Sequence, residues 1–198
     1  MMNFKKFLFV LSAVLFSFVL KGQAVINPAI QTKLDAFIKY SNQKDWDKAF
    51  DLLYPKLFTK VAKQDLIDLM MGMESDGLSI NMSNMRITST SAPVQENNET
   101  FVRVGYTADL SVNVRPGGLY DAPKAIQAIE EQFNATYGDD NVKLDQDNKQ
   151  FQIKATKAMI AIEVAKDDWK LVEINMDQPE IMEFLFSPAI MESLVRTE

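Results

Sequence analysis

The chain contains neither cysteine nor histidine in its 198 residues. The first absence excludes disulfides, thiolate metal sites and lipid attachment through an N-terminal cysteine. The second leaves Asp, Glu, Lys or Tyr as the only candidates for a general base, and no residue pattern marks one of them out. There is no G-x-S-x-G motif for a serine nucleophile. Glycine and proline number only seven each, too few for a fibrous or low-complexity chain. What is present suits a globular fold with a substantial core, because 47% of the residues are hydrophobic and 24% charged.

The first 24 residues read as a secretory signal peptide. Lys5 and Lys6 form a basic start, and the apolar run Phe7 to Leu20 holds only Ser12 and Ser17 as polar residues. That run falls short of the ~20 apolar residues a membrane-spanning helix needs. Gly22-Gln23-Ala24 supplies small residues before a cut between Ala24 and Val25. The expectation is an exported chain, periplasmic or secreted, with no stable membrane insertion after cleavage and one α+β domain over residues 25–198. The leader carries three of the 21 basic residues and no acid, so the mature chain keeps 18 against 27 acidic ones, a net charge of −9. Such a surface repels nucleic acid and anionic membranes.

Periodicity supplies the elements. Asn27-Pro28 is a helix start, followed by Ile30, Leu34, Phe37 and Ile38 on one face. Asp45 caps a second helix that buries Trp46, Ala49, Phe50 and Leu53 and stops before Pro55. A third, about Gln64 to Met73, turns Leu66, Leu69, Met70 and Met73 inward. Leu78, Ile80 and Met82 alternate as a strand, and Met85 and Ile87 continue out of phase, which predicts a bulge near Ser83. Residues 88–100 read as a polar turn or long hairpin loop. From Val102 to Val114 strict alternation gives an antiparallel strand with one packed face, opposite a row of Arg103, Thr107, Asp109 and Asn113.

Pro116-Gly117-Gly118 breaks that strand. Asp121 opens a helix over residues 121–137 with Ile126, Ile129, Phe133 and Tyr137 inward, closed by Gly138. Val142 and Leu144 begin a strand that turns at Asp147-Asn148 into Phe151 to Met176, two strands around the turn Lys166-Asp167-Asp168. There the apolar phase changes between Leu171 and Val172, which calls for either a bulge or a strand apolar on both faces. Two short helices end the chain, Pro179 to Phe186 and Ser187 to Leu194.

Chemistry is scarce. Asp139, Asp140, Asp145 and Asp147 lack the glycine and the closing bidentate acid of a calcium loop and read as turn residues, so neither a metal nor a cofactor is expected. Asp109 is the most notable acid, set mid-strand opposite the apolar row. Trp46, Tyr54, Tyr106 and Trp169 are the candidate lining of a ligand pocket, since pockets are built largely of such side chains. The sequons at Asn81, Asn98 and Asn134 matter only in a glycosylating host.

The order of elements, together with Gln43-Lys44-Asp45-Trp46-Asp47-Lys48-Ala49-Phe50 in the helical part and Asp168-Trp169-Lys170-Leu171-Val172-Glu173-Ile174 in the last strand, resembles the nuclear-transport-factor-2-like superfamily. The resemblance implies a cystatin-like cone: N-terminal helices packed on a strongly curved antiparallel sheet, with the helix at 121–137 as an insertion. The long one-sided apolar strand beside aromatic helices puts the expected ligand site in the concave face of that sheet, under the N-terminal helices. The His and Asp used by enzymatic members have no His counterpart here, so the expectation leans away from an enzyme. The sequence therefore points to a domain binding a small apolar ligand or a peptide. The alternatives are a protein-interaction module, dimerising through the outer sheet face, and an enzyme with Asp109 or a tyrosine as base.

Overall fold

A computed structural model describes residues 27–176 and 178–196. The expected cleavage site at Ala24 and Val25 lies outside the described residues. In chain order the elements are α1 (Pro28–Asn42), α2 (Trp46–Phe50), α3 (Lys63–Ser75), β1 (Leu78–Thr90), β2 (Val94–Glu96), β3 (Glu99–Val114), α4 (Pro123–Tyr137), β4 (Val142–Asp145), β5 (Gln150–Ala165), β6 (Asp168–Glu173), α5 (Pro179–Leu185) and α6 (Pro188–Ile190). The last of these continues as a π-helical turn, Met191–Val195.

The sheet is antiparallel, six-stranded and open, and β3 and β5 are its axis. They pair without interruption from Thr100↔Glu163 to Asn113↔Gln150. β1 and β2 share the free edge of β3, while β4 and β6 share that of β5. Because successive side chains alternate, each strand has an inner and an outer row. The inner row of β3 runs from Val102 through Tyr106 and Ala108 to Val114, and that of β5 from Phe151 through Ala155 to Ala161.

The N-terminal helices pack against the sheet. α1 starts as expected, with Asn27 Oδ1 accepting from the Ala29 amide at 2.9 Å and proline in the first turn. Its fully buried Ile30 and Leu34 lie on inner residues Val104, Ala161, Trp169 and Leu171. α2 ends at Phe50, earlier than the sequence suggests, because the following backbone joins the sheet. Tyr54 N donates to Leu171 O at 3.1 Å and Leu171 N to Leu52 O at 2.9 Å, which covers the edge of β6. In α3 the buried residue is Ile67, and Leu69, expected inward, is 57% exposed. The helix packs Ile67, Leu66 and Met70 against Trp46 and Phe50 of α2 and Met73 against Leu78 and Val112 of the sheet, and Leu69 belongs to neither seam.

Three irregularities shape the sheet. The bulge in β1 falls between Ser83 and Arg86, with Asn84 left-handed at φ 52°. Further register shifts lie between Ile87 and Ser89 and between Glu163 and Ala165. Residues 88–100 are mostly strand rather than loop. Their polar composition hid a tight hairpin between β2 and β3 whose two central residues, Asn97 and Asn98, have φ 52° and 66°. Asparagine tolerates that conformation, and the pair gives a turn whose twist suits antiparallel strands.

Of the two causes offered for the phase change around Leu171, the structure shows burial on two faces, because β6 pairs with β5 in unbroken register from Trp169 to Glu173. Trp169 and Leu171 face α1, whereas Val172 faces out with Ile160, Ile162 and Phe101. The C-terminal helices cover this outer patch with Met182, Leu185, Phe186, Ile190, Met191 and Leu194. Arg103, on the row expected to be wet, is drawn under them. Its guanidinium donates to the carbonyls of Leu194 at 2.7 Å and Val195 at 3.1 Å, closing the last helical turn.

Candidate functional site

The inner face is covered at its two ends by different helices. α1 lies over one end. α4 lies over the other, where Phe133 meets Phe151 edge-on at 5.3 Å between ring centroids. Asp121, expected as the cap of α4, does not bond its first turn. It accepts from the Gly117 amide at 2.8 Å and pairs with Lys149, and these contacts hold its carboxyl below the usual carboxylate range. Ala122 precedes the helix without a side-chain cap, and Pro123 takes its first position. No residue of α4 is fully buried, so the helix rests on the sheet rather than within it.

Between the two covered ends the inner rows narrow to their shortest side chains. Ala108 of β3 is the direct partner of Ala155 of β5. Cross-strand neighbours on one face stand about 5 Å apart, so two methyl groups side by side leave a depression that the flanking residues do not fill. The result is a cavity of about 200 Å³. Its floor is Ala108, Ala155, Leu110, Val112 and Ile153, one wall is Ile80 and Met82 of β1, and the roof is Phe133 and Tyr137 of α4. Tyr106, Lys157 and Glu173 supply its polar groups.

These groups interlock. The buried Tyr106 directs its hydroxyl to Glu173 Oε2 at 3.1 Å. Burial raises the Tyr106 phenol far above its ordinary pKa, and the Glu173 charge and hydrogen bond push the same way. Tyr137 is raised for the same first reason, burial, and then by the Glu173 charge. The ammonium of Lys157 lies 5.0 Å from the centroid of the Tyr137 ring, a cation–π contact. The arrangement offers an apolar chamber with a hydroxyl, a carboxylate and an ammonium at its rim, the usual composition of a small-molecule site.

Of the four aromatic residues picked out from sequence, Tyr106 alone lines this cavity. Trp46 is buried among Ala49, Phe50 and Ile67, and its indole Nε1 has no hydrogen-bond partner. Tyr54 packs beneath the C-terminal helices, with its hydroxyl on Glu99 Oε2 at 2.9 Å, and burial followed by that bond raises its pKa well above the ordinary value. Trp169 is enclosed with Ile30 and Leu34. The structure does not bring these four together. Sequence reasoning missed Lys157, Glu173 and Tyr137 as cavity residues. The signal for the site was the alanine at 108 in a row of large apolar residues, but its pairing with Ala155 depends on register.

The outer face carries two wider hollows, of about 390 Å³ and 450 Å³, which share Asp109, Asn141 and Lys154. They are polar and open. Asp109 is half-buried there and accepts from Asn84 Nδ2 at 2.7 Å. Among the described residues no group of three or more Asp or Glu is placed to hold a metal ion, and no helix is long and apolar enough to cross a membrane. No protein-family model matches the chain, and no curated protein matches it by sequence.

Proposed function

We propose that the chain is an exported, non-enzymatic binding domain of the nuclear-transport-factor-2-like kind, which takes a small, mainly apolar molecule into its inner-face cavity. The observation that carries this reading is the Ala108–Ala155 pair beneath Phe133 and Tyr137, with polar groups confined to the rim. The next inner pair towards the end of the ladder covered by α4, Leu110 and Ile153, carries full-sized aliphatic side chains. The N-terminal helices packed on an open antiparallel sheet support the superfamily reading, and the leader supports export.

Native mass spectrometry of protein purified from an exporting host tests it. The expected result is a mass excess that disappears on denaturation and is missing from Ala108→Leu, whose larger side chain fills the chamber. A bare wild-type mass, or an unchanged excess in Ala108→Leu, would contradict the reading. A doubled mass with no excess would favour an interaction module instead.

A further inference from the structure

The rim of the inner cavity holds one cation and one carboxylate that do not engage each other. Lys157 and Glu173 both line it, yet among the described residues Lys157 forms no ion pair. Their backbones explain this. Lys157 stands on β5 opposite Tyr106, while Glu173 stands on β6 opposite Met159, one inner position further along. The Tyr106 hydroxyl draws the Glu173 carboxylate to itself, and the Tyr137 ring holds the Lys157 ammonium. Both charged groups are thus fixed by aromatic neighbours, at separate points around one apolar chamber.

The chamber's size limits what can fill it. A cavity of about 150 Å³ lined by apolar side chains accepts benzene, and this one measures about 200 Å³. That suits a side chain of the size of leucine, methionine or phenylalanine and excludes a long acyl chain. A ligand matching the whole site needs a compact apolar body, an anionic group for Lys157 and a cationic group for Glu173. The two ends of a peptide each carry only one of those charges, whereas a free α-amino acid carries both on one carbon.

Resting on the reading of this cavity as a ligand site, we propose that its ligand is a free α-amino acid with a large apolar side chain. The side chain lies against Ala108 and Ala155, the carboxylate meets Lys157, and the ammonium meets Glu173. Neither a covalent step nor a metal is involved.

Calorimetric titration of the purified protein with four related compounds separates the parts of the proposal. L-phenylalanine carries both charges, 3-phenylpropionate lacks the ammonium, 2-phenylethylamine lacks the carboxylate, and toluene lacks both. L-phenylalanine is expected to bind tightest, with each single-charge compound about tenfold weaker and toluene weaker still, since charge-assisted hydrogen bonds are among the stronger polar contacts. Lys157→Met should remove the advantage of phenylalanine over phenylethylamine. Glu173→Gln, which still accepts from Tyr106, should remove its advantage over phenylpropionate. Should toluene or phenylpropionate bind as tightly as phenylalanine, the amino-acid assignment is overturned while the cavity reading stands. Absence of binding by all four compounds, in wild type and Ala108→Leu alike, overturns both.

Discussion

The β3–β5 ladder runs through two regions built from the same pair of strands but covered differently. From Glu99 to Gly105 and from Ala158 to Ala165 both faces are packed, the inner by α1 and the outer by the C-terminal helices. From Tyr106 to Asn113 and from Gln150 to Lys157 only the inner face is covered, by α4, and the outer row reads Thr107, Asp109, Ser111, Gln152, Lys154 and Thr156. The first region spends its length on core. The second, released from that demand on its outer side, also admits short side chains on its inner side, and there the cavity forms. Stability and binding are therefore divided along the ladder rather than shared evenly.

Substitutions matched between the two regions test that division. The largest effect is expected from Ile160→Ala, at a position with no exposed surface beneath the C-terminal helices. It should cost about 3 kcal/mol in urea denaturation, within the usual range for emptying a buried isoleucine site. Thr156→Ala, on the same outer row but in the open region, should stay within about 0.5 kcal/mol. Equal losses at the two sites would erase the distinction. Next comes Arg103→Met, which keeps much of the apolar stem and strips the donors from Leu194 and Val195. A loss of about 2 kcal/mol is expected for buried carbonyls left without a charged donor. Ala108→Leu should change stability by less than about 1 kcal/mol, because the added carbons enter existing space, whereas overpacking a filled core costs more.

The last effect is one of pH and is absent at neutral pH. Tyr54 in the first region, and Tyr106 and Tyr137 at the cavity, all have pKa values raised by burial. A phenol with a higher pKa folded than unfolded favours the folded state less once the unfolded chain begins to ionise. Stability should therefore be level below about pH 10, the ordinary tyrosine value, and fall above it. Absorbance of phenolate should appear for these three residues together with unfolding. Ionisation of Tyr106 in a still-folded protein would show its hydroxyl to be open to water.

How much of this was legible in the sequence follows from the range of each signal. The caps at Asn27 and Asp45, the bulge after Ser83 and the inner row of β3 are local, and the α+β class with its helix inserted before β4 followed from them. The hairpin at Asn97-Asn98 has the composition of a loop because its strands are polar. Leu69 and Arg103 were misplaced because a helical or alternating pattern names a face without naming what packs on it. Whether the outer row of β5 met water or helices depended on residues 179–195 folding back across it. The site was least legible. Tyr106 had the right parity, but Trp46, Tyr54 and Trp169 are separated by the fold, and Lys157, Tyr137 and Glu173 converge from three elements. An alanine pair is visible as a cavity only once the register is known.

The central claim is that the space above Ala108 and Ala155 is where this protein takes a ligand. Methyl-detected NMR with labelled alanine, titrated with toluene as a small apolar probe, tests it most directly. Saturable shifts at the Ala108 and Ala155 methyls, with little change at Ala49 and Ala161 in the packed core, are the predicted result. Unchanged Ala108 and Ala155 signals across a titration that perturbs the protein elsewhere, such as around the exposed Leu69, Met71 or Leu119, would contradict it.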